Sequence, residues 1–207
     1  MLVRGRFVLV IALAAIGCGE AEPAQRGAPP PANGAQTFVG SLGRTDALVA
    51  VVQNGRDWLA YVCGGPATQA ALTGWFQGRF ASDTDATLEA SASNGVIAAA
   101  RAADEVHGSL ESAGSSFSFD AERIDTGAAG VAGLFGALDS GCRTGLVVVP
   151  ATATRPAMTQ GVWCDSIGRV GQVTPITPLE RGDRGVAVRV GEEARLLYLL
   201  PALPPLP

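Results

Sequence analysis

From Thr37 onward the chain has a rhythm that leaves it few folds to choose from: short apolar or alternating runs are separated by turn-forming residues, at about the 8 to 12 position spacing of antiparallel strands. The runs lie at Thr37–Leu42, Ala47–Gln53, Asp57–Cys63, Leu72–Ala81, Ala86–Ala90, Val96–Arg101, Glu105–Glu111 and Ser115–Glu122. A second group follows at Leu134–Leu138, Thr144–Val149, Gln160–Cys164, Arg169–Thr174, Val186–Val190 and Arg195–Leu200. In Ser115–Glu122, Phe117 and Phe119 alternate with Ser116, Ser118 and Asp120, which is the period-two signature of a strand with one buried face. By the same alternation Val106, Gly108 and Leu110 share one face, and His107, Ser109 and Glu111 the other. The Asn54-Gly55 and Asn94-Gly95 pairs supply the positive φ angles of tight hairpins.

Ser82–Ala103 is rich in alanine, the best helix former. Its apolar residues do not recur three and four apart, and Asn94-Gly95 interrupts it, so strands are expected there too. A mainly β chain of this kind removes its exposed edges most economically as an antiparallel meander closing into a small barrel or a two-sheet sandwich. Residues 37–200 have the size of a single β-rich domain. Gly127, Gly130, Gly133 and Gly136 recur every third residue among small apolar ones. That is not the G-x-G-x-x-G of a phosphate loop, and it reads as a connector into Leu134–Leu138.

The amino terminus has a different character. Met1–Arg6 carries two arginines, Phe7–Ile16 is entirely apolar and Gly17 is a small residue before a cysteine, the anatomy of a signal peptide over 1–17. Its apolar run is half the roughly 20 residues a membrane-spanning helix requires. Ala15-Ile16-Gly17-Cys18 resembles the bacterial lipobox, departing from it in Ala15, where leucine is commonest. The resemblance implies that Cys18 becomes acylated and holds the protein on a lipid bilayer at the cell envelope. Gly19 after the cysteine implies the outer membrane where the host has one. Several buried acyl chains, at about 0.8 kcal/mol per CH₂, make such an anchor almost irreversible. Residues 18–36, rich in Pro, Ala and Gly, then form a tether, and 201–207 a proline-rich tail.

The chain contains no lysine, and without Arg4 and Arg6 it retains thirteen arginines against nineteen acidic residues, a net charge of −6. The arginines are scattered singly, so the clustered basic surface that releases counterions from nucleic acid is missing, and no nucleic-acid partner is expected.

Phe38-Val39-Gly40, Thr45-Asp46-Ala47 running into Leu48–Val52, Ala60-Tyr61-Val62-Cys63 and Trp75-Phe76-Gln77-Gly78 follow one another in an order that resembles a set of uncharacterised exported bacterial proteins. The likeness covers about residues 37–136. It implies a β-rich fold and export, and lends no activity to any residue.

Chemistry-bearing residues are sparse. With Cys18 acylated, Cys63, Cys142 and Cys164 leave one pair and one free thiol in an oxidising compartment. If Thr144–Val149 and Gln160–Cys164 form a hairpin, Cys142 and Cys164 meet near its open end at the roughly 5.5 Å a disulfide wants, with Cys63 bonded to either as the rival. His107 is the only histidine, and its strand neighbours do not surround a reacting centre. No zinc-type spacing, calcium loop or cofactor motif occurs, so neither metal nor cofactor is expected. Trp58, Tyr61, Trp75, Phe76 and Phe80 form a possible pocket lining if the meander closes, although a sheet core uses such residues anyway.

The expected function is a membrane-anchored envelope lipoprotein whose β domain is non-catalytic and binds a small ligand or an envelope protein. One alternative is an envelope hydrolase using Asp46, Asp57 or Asp83 with Asp85 as paired carboxylates. A third is an assembly accessory with an exposed apolar patch. Mass analysis of the protein extracted from its host should find a mature amino terminus at Cys18 bearing fatty acyl groups; a terminus elsewhere, or an unmodified thiol, would overturn that reading.

Overall fold

The computed structural model describes residues 34–82, 86–126, 131–139, 142–165, 167–182 and 185–200. The expected signal peptide, Cys18, nearly all of the tether, Asp83, Asp85, Gly127, Gly130 and the 201–207 tail lie outside these residues. The chain is mainly β and antiparallel, and its strands form two barrel-like sheets instead of one.

The first sheet contains β1 (Gln36–Leu42), β2 (Leu48–Asn54), β3 (Asp57–Cys63), β4 (Gly74–Arg79), β5 (Thr87–Ala92), β6 (Gly95–Arg101), β7 (Glu105–Ser112) and β8 (Ser115–Ile124), with one helical turn, α1 (Gln69–Leu72), before β4. Its order is β4-β3-β2-β1-β8-β7-β6-β5. Two four-stranded meanders are thus joined by the β1–β8 ladder, and β4 and β5 lie side by side without a ladder, leaving the barrel nearly closed.

The second sheet contains β9 (Gly133–Asp139), β10 (Cys142–Val149), β11 (Met158–Cys164), β12 (Val170–Pro175), β13 (Arg181–Gly182), β14 (Gly185–Val190) and β15 (Glu193–Leu199). Pairing of β12 with β14 and of β15 with β9 closes six of these strands into a barrel. β13 is a two-residue flap on β14.

Alternation explains both interiors and the join between them. Phe38, Val49, Val51, Trp58, Ala60 and Val62 point into the first barrel with Ile97, Leu110 and Phe119. Phe135, Leu146, Val148, Val186 and Val188 fill the second. The opposite faces of β1, β2, β3 and β10 are largely kept from water as well. Val39, Leu48, Ala50, Val52, Leu59, Tyr61 and Cys63 pack against Leu134, Val147, Val149, Val162 and Leu200, forming a third apolar cluster between the barrels. Strands buried on both faces read as unbroken apolar runs, as Leu48–Val52 and Leu146–Val149 do. β5 to β8, wet on one face, keep strict alternation.

Each end of the first barrel is stoppered. At one, α1 drives Leu72 into the core, while Asp46 accepts from the Ala67 amide at 2.9 Å and from the Thr68 hydroxyl. The buried Ser112 hydroxyl donates to the Ala71 carbonyl at 3.0 Å. At the other end Phe80 is buried, the Arg56 guanidinium donates to its carbonyl at 3.0 and 2.7 Å, and Arg101 sits 5.5 Å over its ring.

Several local expectations shift. The Leu72–Ala81 run splits into α1 and β4, because Gly64 to Thr73 must cross the barrel mouth before β4 begins. Both hairpins move by one residue from the Asn-Gly pairs. Asn54 pairs with Asp57, leaving Gly55 at φ +59° and Arg56 as the turn, and Ala92 pairs with Gly95 across Ser93-Asn94. Glycine first with positive φ is the type II′ arrangement.

Gly145 in β10 faces the join. A Cβ there would stand 2.6 Å from the Tyr61 ring and 2.7 Å from that of Trp75. Gly145→Ala should therefore cost about 1–3 kcal/mol by overpacking, read as a lower urea midpoint with an unchanged slope. An unaltered midpoint would mean the rings yield freely.

Candidate functional site

The five aromatic residues expected to line a pocket do not share a wall. Trp58, Phe76 and Phe80 point into the first barrel, where they pack with the core, and all are nearly inaccessible to solvent. Tyr61 and Trp75 point the other way because they occupy alternate positions on β3 and β4. They stack on each other with centroids 4.1 Å apart. The Arg143 guanidinium lies 5.1 Å from the Trp75 centroid, and Trp75 Nε1 donates to the Arg143 carbonyl at 3.3 Å. Burial lowers the pKa of Arg143 and raises that of the Tyr61 phenol well above its ordinary value. This stack clamps β4 to β10, a structural role.

Cys63 is a free thiol with no exposed surface, in the same join. Burial pushes its pKa up to about 12, with the Asp46 charge adding to the rise. A nucleophilic or redox-active cysteine needs the opposite environment. Gln160 Nε2 donates to the Cys63 carbonyl at 2.9 Å, and Gln172 Nε2 to Gly64 at 3.3 Å and to Gln69 Oε1 at 3.0 Å, so polar groups of the second barrel also grip this corner of the first.

The hydrolase reading pairs Asp46, Asp57 or Asp83 with Asp85; Asp83 and Asp85 lie outside the described residues, and Asp46 and Asp57 stand apart from each other. Asp46 precedes β2 and is held at the α1 end, where the Thr68 hydroxyl and the Ala67 amide lower its pKa. Asp57 follows β2 and pairs with Arg79 at the other end, at 3.5 Å. The seven residues of β2 between them span about 20 Å, well beyond the roughly 10 Å within which two carboxyl groups act on one glycosidic bond.

His107 has company that its own strand does not reveal. Its β8 partner in the ladder is Asp120. Nδ1 meets Asp120 Oδ1 at 2.6 Å, and Nε2 meets Glu105 Oε2 at 2.8 Å. Ser118, two residues before Asp120 on the same face, is left without a ring nitrogen to activate it, so the arrangement is not a nucleophile–base–acid relay. With both nitrogens held by carboxylates the imidazolium is favoured, and the His107 pKa is raised, first by the hydrogen bond to Asp120 and then by Glu105. Among the described residues, no group of three or more His, Cys, Asp or Glu side chains is placed to hold a metal ion.

The remaining candidate is apolar and lies at one end of the second barrel. Cys142 and Cys164 are joined there by a disulfide with a Cα separation of 5.8 Å. The bridge ties the start of β10 to the end of β11, closing a loop that contributes about 3 kcal/mol in the chain-entropy model. In the ladders beside it Leu138 stands opposite Arg143, and Val170 opposite Cys164. Leu138 is 50%, Val170 60% and Ile167 74% exposed, and these are the large hydrophobic side chains left in water among the described residues.

Ile167 is also held in place. Asp165 Oδ1 accepts from the Ile167 amide at 3.1 Å and the Arg169 amide at 2.9 Å, while Oδ2 accepts from Arg169 Nε at 2.6 Å. These bonds anchor the Ile167 and Arg169 amides to Asp165 while the Ile167 side chain stands in solvent. No sequence reasoning singled out Leu138, Ile167 or Val170. The available signal was Ile167 itself, a large aliphatic residue in the turn sequence Asp165-Ser166-Ile167-Gly168.

Comparison with known proteins adds no relative: no family model, curated protein or solved structure matches the chain.

The His107 geometry makes a pH prediction. Because its pKa is higher folded than unfolded, the stabilisation it gives is complete below the ordinary value of 6.5 and is lost as pH rises through the elevated one. NMR titration should show an imidazole pKa above 6.5 that falls back toward that value in Asp120→Asn; an unchanged titration in the variant would contradict the assigned role of Asp120.

Proposed function

We propose that this chain is a lipid-anchored cell-envelope protein whose paired barrels act non-catalytically, as a rigid module that docks on a protein partner. The anchor rests on the sequence Phe7–Cys18, and the docking role on one structural observation, the apolar end formed by Leu138, Ile167 and Val170. Aliphatic side chains left exposed near one disulfide, on β9, β12 and the turn before β12, are surface that a protein partner buries favourably. The interior of each barrel is occupied by its own side chains, which favours recognition at the surface over a ligand in a lumen. The hydrolase alternative requires Asp85, which with Asp83 lies outside the described residues, and Asp46 and Asp57 do not pair with each other in its stead.

Two variants in the native host test the two halves separately. Cys18→Ala should move the protein from the membrane to the soluble envelope fraction, and retention in the membrane would remove the anchor. Ile167→Asp combined with Val170→Asp alters exposed positions and should leave stability within about 0.5 kcal/mol of the parent. It should abolish chemical crosslinking to the envelope protein captured by the parent chain. An identical crosslinked species from both proteins would overturn the docking role while leaving the anchor untouched.

A further inference from the structure

We draw no further inference here: the strongest candidate, the exposed apolar end of the second barrel around Leu138, Ile167 and Val170, belongs to the site already described, and nothing in the structure shows what covers it.

Discussion

Everything in this architecture depends on a face of β1, β2 and β3 that never meets water. A single closed barrel buries one side of each strand and leaves the other to the solvent. Here seven side chains from Val39 to Cys63 occupy what would be the wet side of the first barrel, and five from the second barrel cover them. A fully buried valine or leucine is worth about 1.5–3 kcal/mol over an exposed one, so separating the barrels would expose a layer worth at least as much as the roughly 5–15 kcal/mol by which a domain is usually stable. The two sheets are therefore one energetic unit with three cores.

That constraint decides what the prominent residues do. Tyr61, Trp75 and Arg143, which would advertise a binding surface on an isolated barrel, are used up holding the barrels in register. Cys63 lies in the same layer, where burial pushes its thiol pKa up. What remains outside is mostly polar: Glu89, His107, Glu111, Asp120 and Glu122 on the outer wall of β5 to β8. Against that background the three aliphatic side chains beside the Cys142–Cys164 bridge stand out.

Much of the fold was legible in particular residues. Phe117 and Phe119 alternate with serines because β8 has one wet face, and the structure buries Phe119 while leaving Ser118 exposed. The alanine-rich stretch is a hairpin, with β5 and β6 paired in register from Thr87 to Ala100 and the alternate residues Leu88, Ala90, Ile97 and Ala99 turned to the first barrel's core. Less legible was the α1 crossing: Gln69 to Leu72 are good helix formers, but a single turn is too short to show a helical period, and its path is set by the need to close a barrel mouth. The His107–Asp120 contact was invisible for a different reason: thirteen residues separate the two, and only the β7–β8 register sets them opposite each other.

By itself the sequence determined strand periodicity, the turns between strands, the dominance of antiparallel pairing and the hairpin that carries Cys142 and Cys164. These are local properties, set by side-chain alternation and by backbone angles a few residues apart. Only the tertiary structure decided that the strands make two barrels, that Tyr61 and Trp75 turn outward to join them, and that Asp46 and Asp57 stand far apart. The reason is physical: an unbroken apolar run records that both faces are buried, but the chain does not encode locally which neighbour covers each face. That choice belongs to long-range packing.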